Sequence, residues 1–497
     1  MEGKQIKIVE STRFLGVVFD KKLTYLPHVT QLRKKCEKSL NLLKILSNTS
    51  WGADRISMLR LYRAVIRSKL DYACASYGSA RKSVLRKLDI VHHSALRICS
   101  GAFRTSPIQS LYTDCNEPSL YHTRLHLSLN YYFSVLSHPN HPLREDFLER
   151  RSDRLYENRP SFIPPFPLRM RNFIKNTSLS NVEICTRSLF DFPPWKKNFI
   201  SYLNPFHNFQ KSSTTALIFN QFFQAHRDEY SKYIDIYTDG SKMRDHVGCS
   251  FVTTSITQGF KLHPSSSIFT AEILATIKAL DFISSHHKRH FIIYTASLSV
   301  LESLQSGNPT HSLISVVLKQ YASAIHNGYH IKFCWTPFHV GIPGNEAADI
   351  CAKNAIQILN DLLPLEDFKR VTKCIMLEEW QLEWNEQVGN KLYSIKSTVS
   401  LWPSLSVRKL DVLLTRLRIG HTRVTHKHLL LNESPPICFH CNCHLTIKHI
   451  LTECTGLTRL YNKFFHTCTP SLQALIGEHH HNSIFSFLKS TGFYPLM

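Results

Sequence analysis

The densest cluster of metal-binding side chains is PPICFHCNCHLTIKHILTEC, close to the C-terminal end. Cys438 and Cys441 stand two residues apart, His449 follows after seven more, and Cys454 after a further four. A tight thiol pair followed by a helical pattern that delivers a His and then a Cys suits tetrahedral Zn²⁺. His440, Cys443 and His444 crowd the same stretch, so the choice among ligands stays open, against an ordinary Cys/His-rich helix end. A second set is acidic and dispersed. YIDIYTDGS places Asp239 just before Gly240 and Ser241, where the pattern predicts a strand end and a turn that lets backbone approach a phosphate;. D-G is also among the commonest turn pairs. SSSIFTAEILATIKALDFI predicts a helix capped by Thr270 with Glu272 in its first turn, where the helix dipole by itself favours a Glu;. HFIIYTASLSVLESLQ reads as a buried strand with a helix beginning near Ser297, and Ala296 lies between them. In HIKFCWTPFHVGIPGNEAADICAKNA a strand ends at Trp335, a Pro/Gly loop follows, and Gly344 or Asn345 opens a helix that presents Asp349.

The elements that must hold these groups follow from periodicity. Residues 1–24 alternate in short apolar bursts that read as strands around a turn;. Val29, Leu32, Cys36, Leu40 and Leu43, then Ile56, Leu59, Tyr62, Ile66 and Leu70, recur at helical steps, and a third helix is predicted over 83–100;. Arg33, Lys34, Lys35, Lys38, Arg60, Arg67 and Lys69 fall on the polar faces. Residues 136–230 are dense in Pro (SHPNHP, RPSFIPPFPL, FDFPPWKK) and read as a connector with short local structure;. Residues 231–358 alternate strand and helix patterns, an α/β domain;. Residues 365–430 return to helical spacing through Val371, Ile375, Leu377, Trp380, Leu382 and Trp384.

Taken in order, TDGS, F-T-A-E at a helix start, strand-T-x-S-helix and H-V-G-I-P-G-N-E-x-A-D-x-x-A form a pattern that resembles type 1 ribonucleases H over about 125 residues;. The resemblance implies a five-stranded mixed sheet flanked by helices, and hydrolysis of the RNA strand of RNA–DNA hybrids. Such chemistry needs an activated water and a stabilised leaving oxygen, which two Mg²⁺ ions can supply. Mg²⁺ prefers carboxylate, water and phosphate oxygens, so acids far apart in sequence must converge. By resemblance Asp239 bridges both ions, and Glu272 and Asp349 each help to hold one. His339, ten residues before Asp349, assists proton transfer or product release from a mobile loop. Gly240, Ser241, Thr295, Ser297 and Asn345 are implied as nucleic-acid contacts. One position departs from the pattern: the family carries an Asp ligand where this chain has Ala296. Glu302 and Asp281 lie on helices badly placed to replace it. The expectation is an intact fold with hydrolysis strongly impaired.

The flanks extend the resemblance. RFLGVVFDKKLTYLPHV, LYRAVIRSKLDYACASYGSA and LDIVHHSALRICSGAFRTSPIQSL look like the region just after the polymerase palm in Jockey-type non-LTR retrotransposon reverse transcriptases. LTRLRIGHTRVTHKHLL, PPICFHC and HILTEC are similar to the tail of the same polyproteins. The chain holds no Asp-Asp dipeptide of the kind a palm uses for its metals, so polymerase activity is not expected. This reading makes Met1 an internal start in a truncated element copy, and Ala296 a loss of the kind such a copy accumulates.

Composition agrees with a polyanion partner and narrows the class. The net charge is +23, from 60 Lys+Arg against 37 Asp+Glu, and 43% of residues are hydrophobic;. The 14 Cys are too sparse for a disulfide scaffold;. No signal-peptide core and no run near ~18 apolar residues is present, which points to an intracellular, reducing location without a membrane partner. The expected architecture is a multidomain α+β protein. It comprises a helical, thumb-like region (1–135), the connector (136–230), a ribonuclease H-like domain (231–358) and a helical tail (365–497) with a small zinc motif over 438–454. Two functions compete: a metal-dependent RNA–DNA hybrid ribonuclease with Mg²⁺ and Zn²⁺, or a non-catalytic nucleic-acid-binding retroelement remnant.

Overall fold

A computed structural model describes residues 8–150, 153–159, 162–186, 200–209, 214–306, 311–359, 362–478 and 482–497; the FDFPPWKK stretch of the Pro-rich segment lies outside them. The chain divides into two compact units. One is Leu129–Lys373, and the other is built jointly from Met1–Ser128 and Cys374–Met497. Most of both helical flanks, read separately from sequence, therefore belongs to one unit.

The Leu129–Lys373 unit is organised by a sheet of β1 (Tyr202–Leu203), β2 (Ile234–Lys242), β3 (Val247–Val252), β4 (Thr257–Leu262), β5 (His290–Thr295), β6 (His330–Trp335) and β7 (Gln357–Ile358). Their order is β7-β4-β3-β2-β5-β6-β1. Strands β2, β3 and β4 pair antiparallel, whereas β5 and β6 run parallel to β2. The sheet thus has seven strands where five were expected. The additions are two-residue edge strands, β1 beside β6 and β7 beside β4. Such short edges leave little unpaired backbone for another chain to extend.

Helices cover both faces of this sheet. On one face α1 (Ala216–Glu229) and α5 (Pro343–Lys353) close over Tyr237, Ile292, Tyr294 and Cys334 with Phe219, Phe223 and Ala348. On the other, α2 (Ile268–Ser285), α3 (Leu298–Gln305) and α4 (Ser312–His326) bury Ile273, Leu280, Leu301 and Val317 against Ile236, Phe251 and Ile293. Strand β5 is consequently buried from Phe291 to Thr295, which explains its unbroken apolar run;. Helix α1 lies in the stretch read as connector. Phe219 and Phe223, one turn apart, are the helical signal that the prolines upstream obscured;.

In the other unit the predicted helices fold as Leu26–Leu46, Arg55–Tyr62 and Lys82–Ser100, after a hairpin of Ser11–Phe14 and Val17–Asp20. Val29, Leu32, Cys36, Leu40 and Leu43 are all buried. The second helix differs from expectation. It buries Arg55, Met58, Leu59 and Tyr62, leaves Ile56 exposed, and passes into one π-helical turn over Arg63–Arg67. That wider turn rotates the following face, so Arg67, expected on the polar side, is buried and pairs with Asp71 at 2.8 Å and Glu117 at 3.7 Å. Trp380, Trp384, Leu414, Ile450 and Leu488 of the C-terminal segment share the core with Leu40, Tyr62 and Leu96 of the N-terminal one. Leu382, expected on the apolar face, points to solvent.

The two segments are joined electrostatically as well. Arg55, 3% exposed, donates from Nη1 to Asp114 Oδ2 at 2.9 Å and from Nε to Asp411 Oδ2 at 2.8 Å, and also bonds the Thr415 hydroxyl. Removing one partner of such a group leaves buried charge uncompensated. Arg55→Met should therefore lower unfolding free energy by ~3–5 kcal/mol, read as a shifted urea midpoint. An unchanged midpoint would show that this pairing adds nothing.

Candidate active site and metal centre

Asp239 sits within β2, not at its end. The strand continues to Lys242, with Gly240 opposite Cys249 and Ser241 opposite Gly248. The predicted turn at Gly240–Ser241 is therefore displaced past the strand, because pairing with β3 carries on through both residues. Gly240 serves close packing instead. A Cβ there would stand 2.7 Å from the Glu272 amide nitrogen and 3.0 Å from the Ala271 Cβ. Only Gly lets the start of α2 lie this near the strand. Helix α2 itself begins at Ile268, capped by Ser267, which accepts from the Thr270 amide. Thr270 is not the cap; its hydroxyl donates to Asp367 at 2.7 Å. Glu272 consequently lies in the second turn.

Helix α5 begins with Pro343 at its first position, where a missing N–H costs nothing;. Gly344 lies under the Tyr237 ring, 2.3 Å from where its Cβ would be, so α5 can press onto β2 and aim Asp349 at Asp239. The three acids are buried, with exposures of 0% for Asp239, 7% for Glu272 and 5% for Asp349. Both Asp239 oxygens, Glu272 Oε2 and Asp349 Oδ1 lack a hydrogen-bond partner. Asp349 Oδ2 is held by Lys353 Nζ at 2.7 Å. Burial and the nearby Asp349 push the Asp239 carboxyl up to about 7. Burial, then Asp239, raises Glu272 well above the usual carboxylate range. Asp235, on the same strand face, is a useful contrast: Arg227 neutralises it directly.

Ala296 follows β5, which pairs with β2 so that Thr295 lies opposite Thr238. The next residues along these parallel strands are Ala296 and Asp239, so the methyl group borders the acidic end of the sheet. The Ala296 carbonyl accepts from Leu298 N at 3.1 Å and Trp335 Nε1 at 3.3 Å. Asp281 is engaged by Lys278 and Gln320, and Glu302 is exposed. His339 is exposed, with a left-handed backbone (φ 55°), and its Nδ1 lies 3.7 Å from Glu346 Oε2. His339, Glu346 and Asp349 each offer an atom, all within 4.8 Å of one another. Glu346 was passed over in the sequence because the N-E-x-A-D string drew attention to its last acid. The i,i+3 spacing to Asp349 was the available signal. Among the expected nucleic-acid contacts, Gly240, Ser241, Thr295 and Asn345 are buried, and Ser297 is half-buried.

The second cluster is sulfur-rich. Cys438, Cys441, His449 and Cys454 each bring one ligand atom within 4.8 Å of the others. Cys454 Sγ lies 3.7 Å from Cys438 Sγ and 3.8 Å from Cys441 Sγ. Zn–S bonds of ~2.3 Å in a tetrahedron require S–S edges of ~3.8 Å, so the spacing fits zinc. A single π-helical turn, His449–Glu453, sets the offset between the last two ligands. The Tyr461 hydroxyl braces it, donating toward the Ile450 carbonyl at 3.0 Å and accepting from Cys454 N at 3.1 Å. A hydrogen bond from Thr455 lowers the Cys441 thiol to about 7, toward the thiolate a metal needs;. Of the competing residues, Cys443 approaches His449 Nδ1 at 3.4 Å, and the His440 ring stacks on Gly456.

Residues 231–357 match the ribonuclease H family, and with the mixed sheet they constitute a ribonuclease H domain. Similar proteins include the RNA-directed DNA polymerase from mobile element jockey of Drosophila melanogaster, 26% identical over 144 residues covering 28% of this chain and 15% of that protein. The probable RNA-directed DNA polymerase from transposon X-element of Drosophila melanogaster is 27% identical over 29% of this chain and 17% of its own length. The Pol polyprotein from type-1 retrotransposable element R1 4 of Nasonia vitripennis is 27% identical over 22% of this chain and 28% of its own. The relatives are thus polyproteins of Jockey, X-element and R1 non-LTR retrotransposons, and the match spans less than a third of each. Among the described residues no helix is long and apolar enough to cross a membrane.

The Asp239 proton has a consequence for stability. The folded carboxyl keeps its proton to about 7, whereas an unfolded Asp loses it near ~3.9. Between these values the folded state binds more protons, so stability falls as pH rises, and the loss is complete above the folded pKa. In magnesium-free buffer, Asp239→Asn should be more stable than wild type at pH 8 by a few kcal/mol, with the difference gone near pH 4. Equal urea midpoints at pH 8 would refute the burial cost. At the other cluster, chelation of zinc should lower the melting temperature, since Ile447, Ile450 and Tyr461 belong to the unit's core;. A chelator that leaves melting unchanged, or protein that purifies without zinc, would count against the site.

Proposed function

We propose that the ribonuclease H domain binds RNA–DNA hybrid over the part of β2 that carries Asp239, where Asp239, Glu272 and Asp349 hold divalent cations, with Mg²⁺ the natural choice. The supporting observation is the set of buried carboxylate oxygens without hydrogen-bond partners, which burial holds protonated without metal and which divalent cations would compensate once they are ionised;. Bound ions of this kind make water nucleophilic and stabilise a leaving oxygen, which is what cleavage of the RNA strand requires. Within that scheme Asp239 must lose its proton before it can serve as a ligand. Glu272 reaches the same space from α2 and Asp349 from α5. His339 stands at the exposed rim, where it can pass a proton to or from solvent or product. Lys353 offsets Asp349 and must yield part of that contact.

Ala296 is the reason to expect weak turnover. An Asp at that place would border Asp239 and add a ligand; the methyl group adds none. Loss of a supporting group around a metal typically costs about 10–100-fold, and loss of a direct ligand at least as much. The second reading, a nucleic-acid-binding protein without hydrolysis, is favoured by the same residue and by the +23 charge;. Zn²⁺ at Cys438, Cys441, His449 and Cys454 then serves local folding in either case.

A hybrid-cleavage assay with Mg²⁺ or Mn²⁺ separates the two. Ala296→Asp should raise cleavage about 10-fold or more, and Asp239→Asn should abolish what remains. Full family-level turnover in the wild type, lost in Asp239→Asn, would overturn the impairment. No cleavage in Ala296→Asp, with hybrid binding retained, would favour the binding protein.

A further inference from the structure

Glu346 precedes Asp349 by one helical turn on α5, so both carboxylates project from one face;. It is partly exposed, with a side chain at 37%, and among the described residues its ion-pair partner is His339. The strained backbone of His339 and the loop before α5 hold the imidazole over this pair, with atoms of all three residues within 4.8 Å;. Glu346 is also near enough to Asp239 to help raise its carboxyl. Across the sheet end, Ala296 leaves the β5 side without a ligand. Asp239 is fully buried with neither carboxylate oxygen hydrogen-bonded, and once ionised it would need a cation;.

We propose that Glu346 supplies the carboxylate that position 296 lacks, so that one divalent cation is shared by Asp239, Asp349 and Glu346. The proposal rests on the reading of this site as a divalent-cation site. Three features make Glu346 suited to the task. Its side chain is one methylene longer than Asp and can cross part of the gap left by Ala296. Its partial exposure lets it move without breaking a buried contact. Its neighbour Lys353 pairs with Asp349 and leaves Glu346 available. Mg²⁺ keeps several waters in its octahedral shell, so a carboxylate arriving from the α5 side can contribute directly or through a bound water.

The test is Mn²⁺ titration of the full-length, zinc-loaded chain by calorimetry, with wild type, Glu346→Gln, Ala296→Asp and the double variant. Glu346→Gln should weaken Mn²⁺ binding about 10-fold or more in the wild-type background. In the Ala296→Asp background, where the expected ligand is restored, the same change should cost markedly less. Glu346→Asp keeps a carboxylate and should fall between wild type and Glu346→Gln. Melting curves verify that each variant is folded. Equal losses in both backgrounds, or no loss in the wild type, overturn the proposal while leaving the cation site standing. Binding by Ala296→Asp but not by wild type overturns it too, since Glu346 would then replace nothing. Absence of Mn²⁺ binding in all variants removes the cation site and this proposal together.

Discussion

Burial of carboxylates without hydrogen-bond partners, sharpened by their mutual repulsion, is the constraint on which the ribonuclease H domain turns. Asp239, Glu272 and Asp349 come from β2, α2 and α5, and no described cation but Lys353 answers them. Burying such groups unpaired is costly, so the rest of the domain must force them together. It does so by close packing. Gly240 admits α2, and Gly344 admits α5 under Tyr237. A Cβ on Gly248 would collide with the Ala352 carbonyl at 1.9 Å, so that position also holds α5 against the sheet. Larger residues at any of these places would back a helix away and relax the crowding. The burial of these acids is therefore a product of steric fit elsewhere.

The other unit solves a different problem with similar means. Its two segments are separated by the whole ribonuclease H region in sequence, yet one apolar core contains both. Arg55 fixes the register between them through direct ion pairs with Asp114 and Asp411. The Cys/His cluster lies on the C-terminal part of this same unit, with Ile447, Ile450 and Leu451 feeding directly into the core. A metal there would tie a turn with little regular structure to a packed interior, which favours a structural use over a freely swinging knuckle.

How much of this was legible in the sequence depended on whether a residue's environment was local. Asp239, Glu272 and Asp349 stood out because each sits in a short motif at a fixed place on its element. The cysteine spacing was readable for the same reason. Gly240 was read as a turn, since nothing local reveals that α2 approaches it. Ser267 rather than Thr270 caps α2 because Asp367, a hundred residues on, claims the Thr270 hydroxyl. Helix α1 and strand β1 were hidden by their Pro-rich surroundings, although they complete one face and one edge of the sheet. Ile56, Arg67 and Leu382 fell on unexpected faces, Arg67 at the end of a π turn that no 3.6-residue period anticipates;.

Ala296 gains a second meaning from this setting. A fourth carboxylate beside Asp239 would deepen the repulsion, and the protein without metal would be less stable for it. With Ala there, that added repulsion is absent and, on the proposed reading, so is a ligand. Sites that store electrostatic strain commonly trade stability against function in this direction. An acid left at the mouth, as Glu346 is, costs little because solvent still reaches it. On the proposed reading of the site, the fold that gathers Asp239, Glu272 and Asp349 is complete while position 296 brings no ligand.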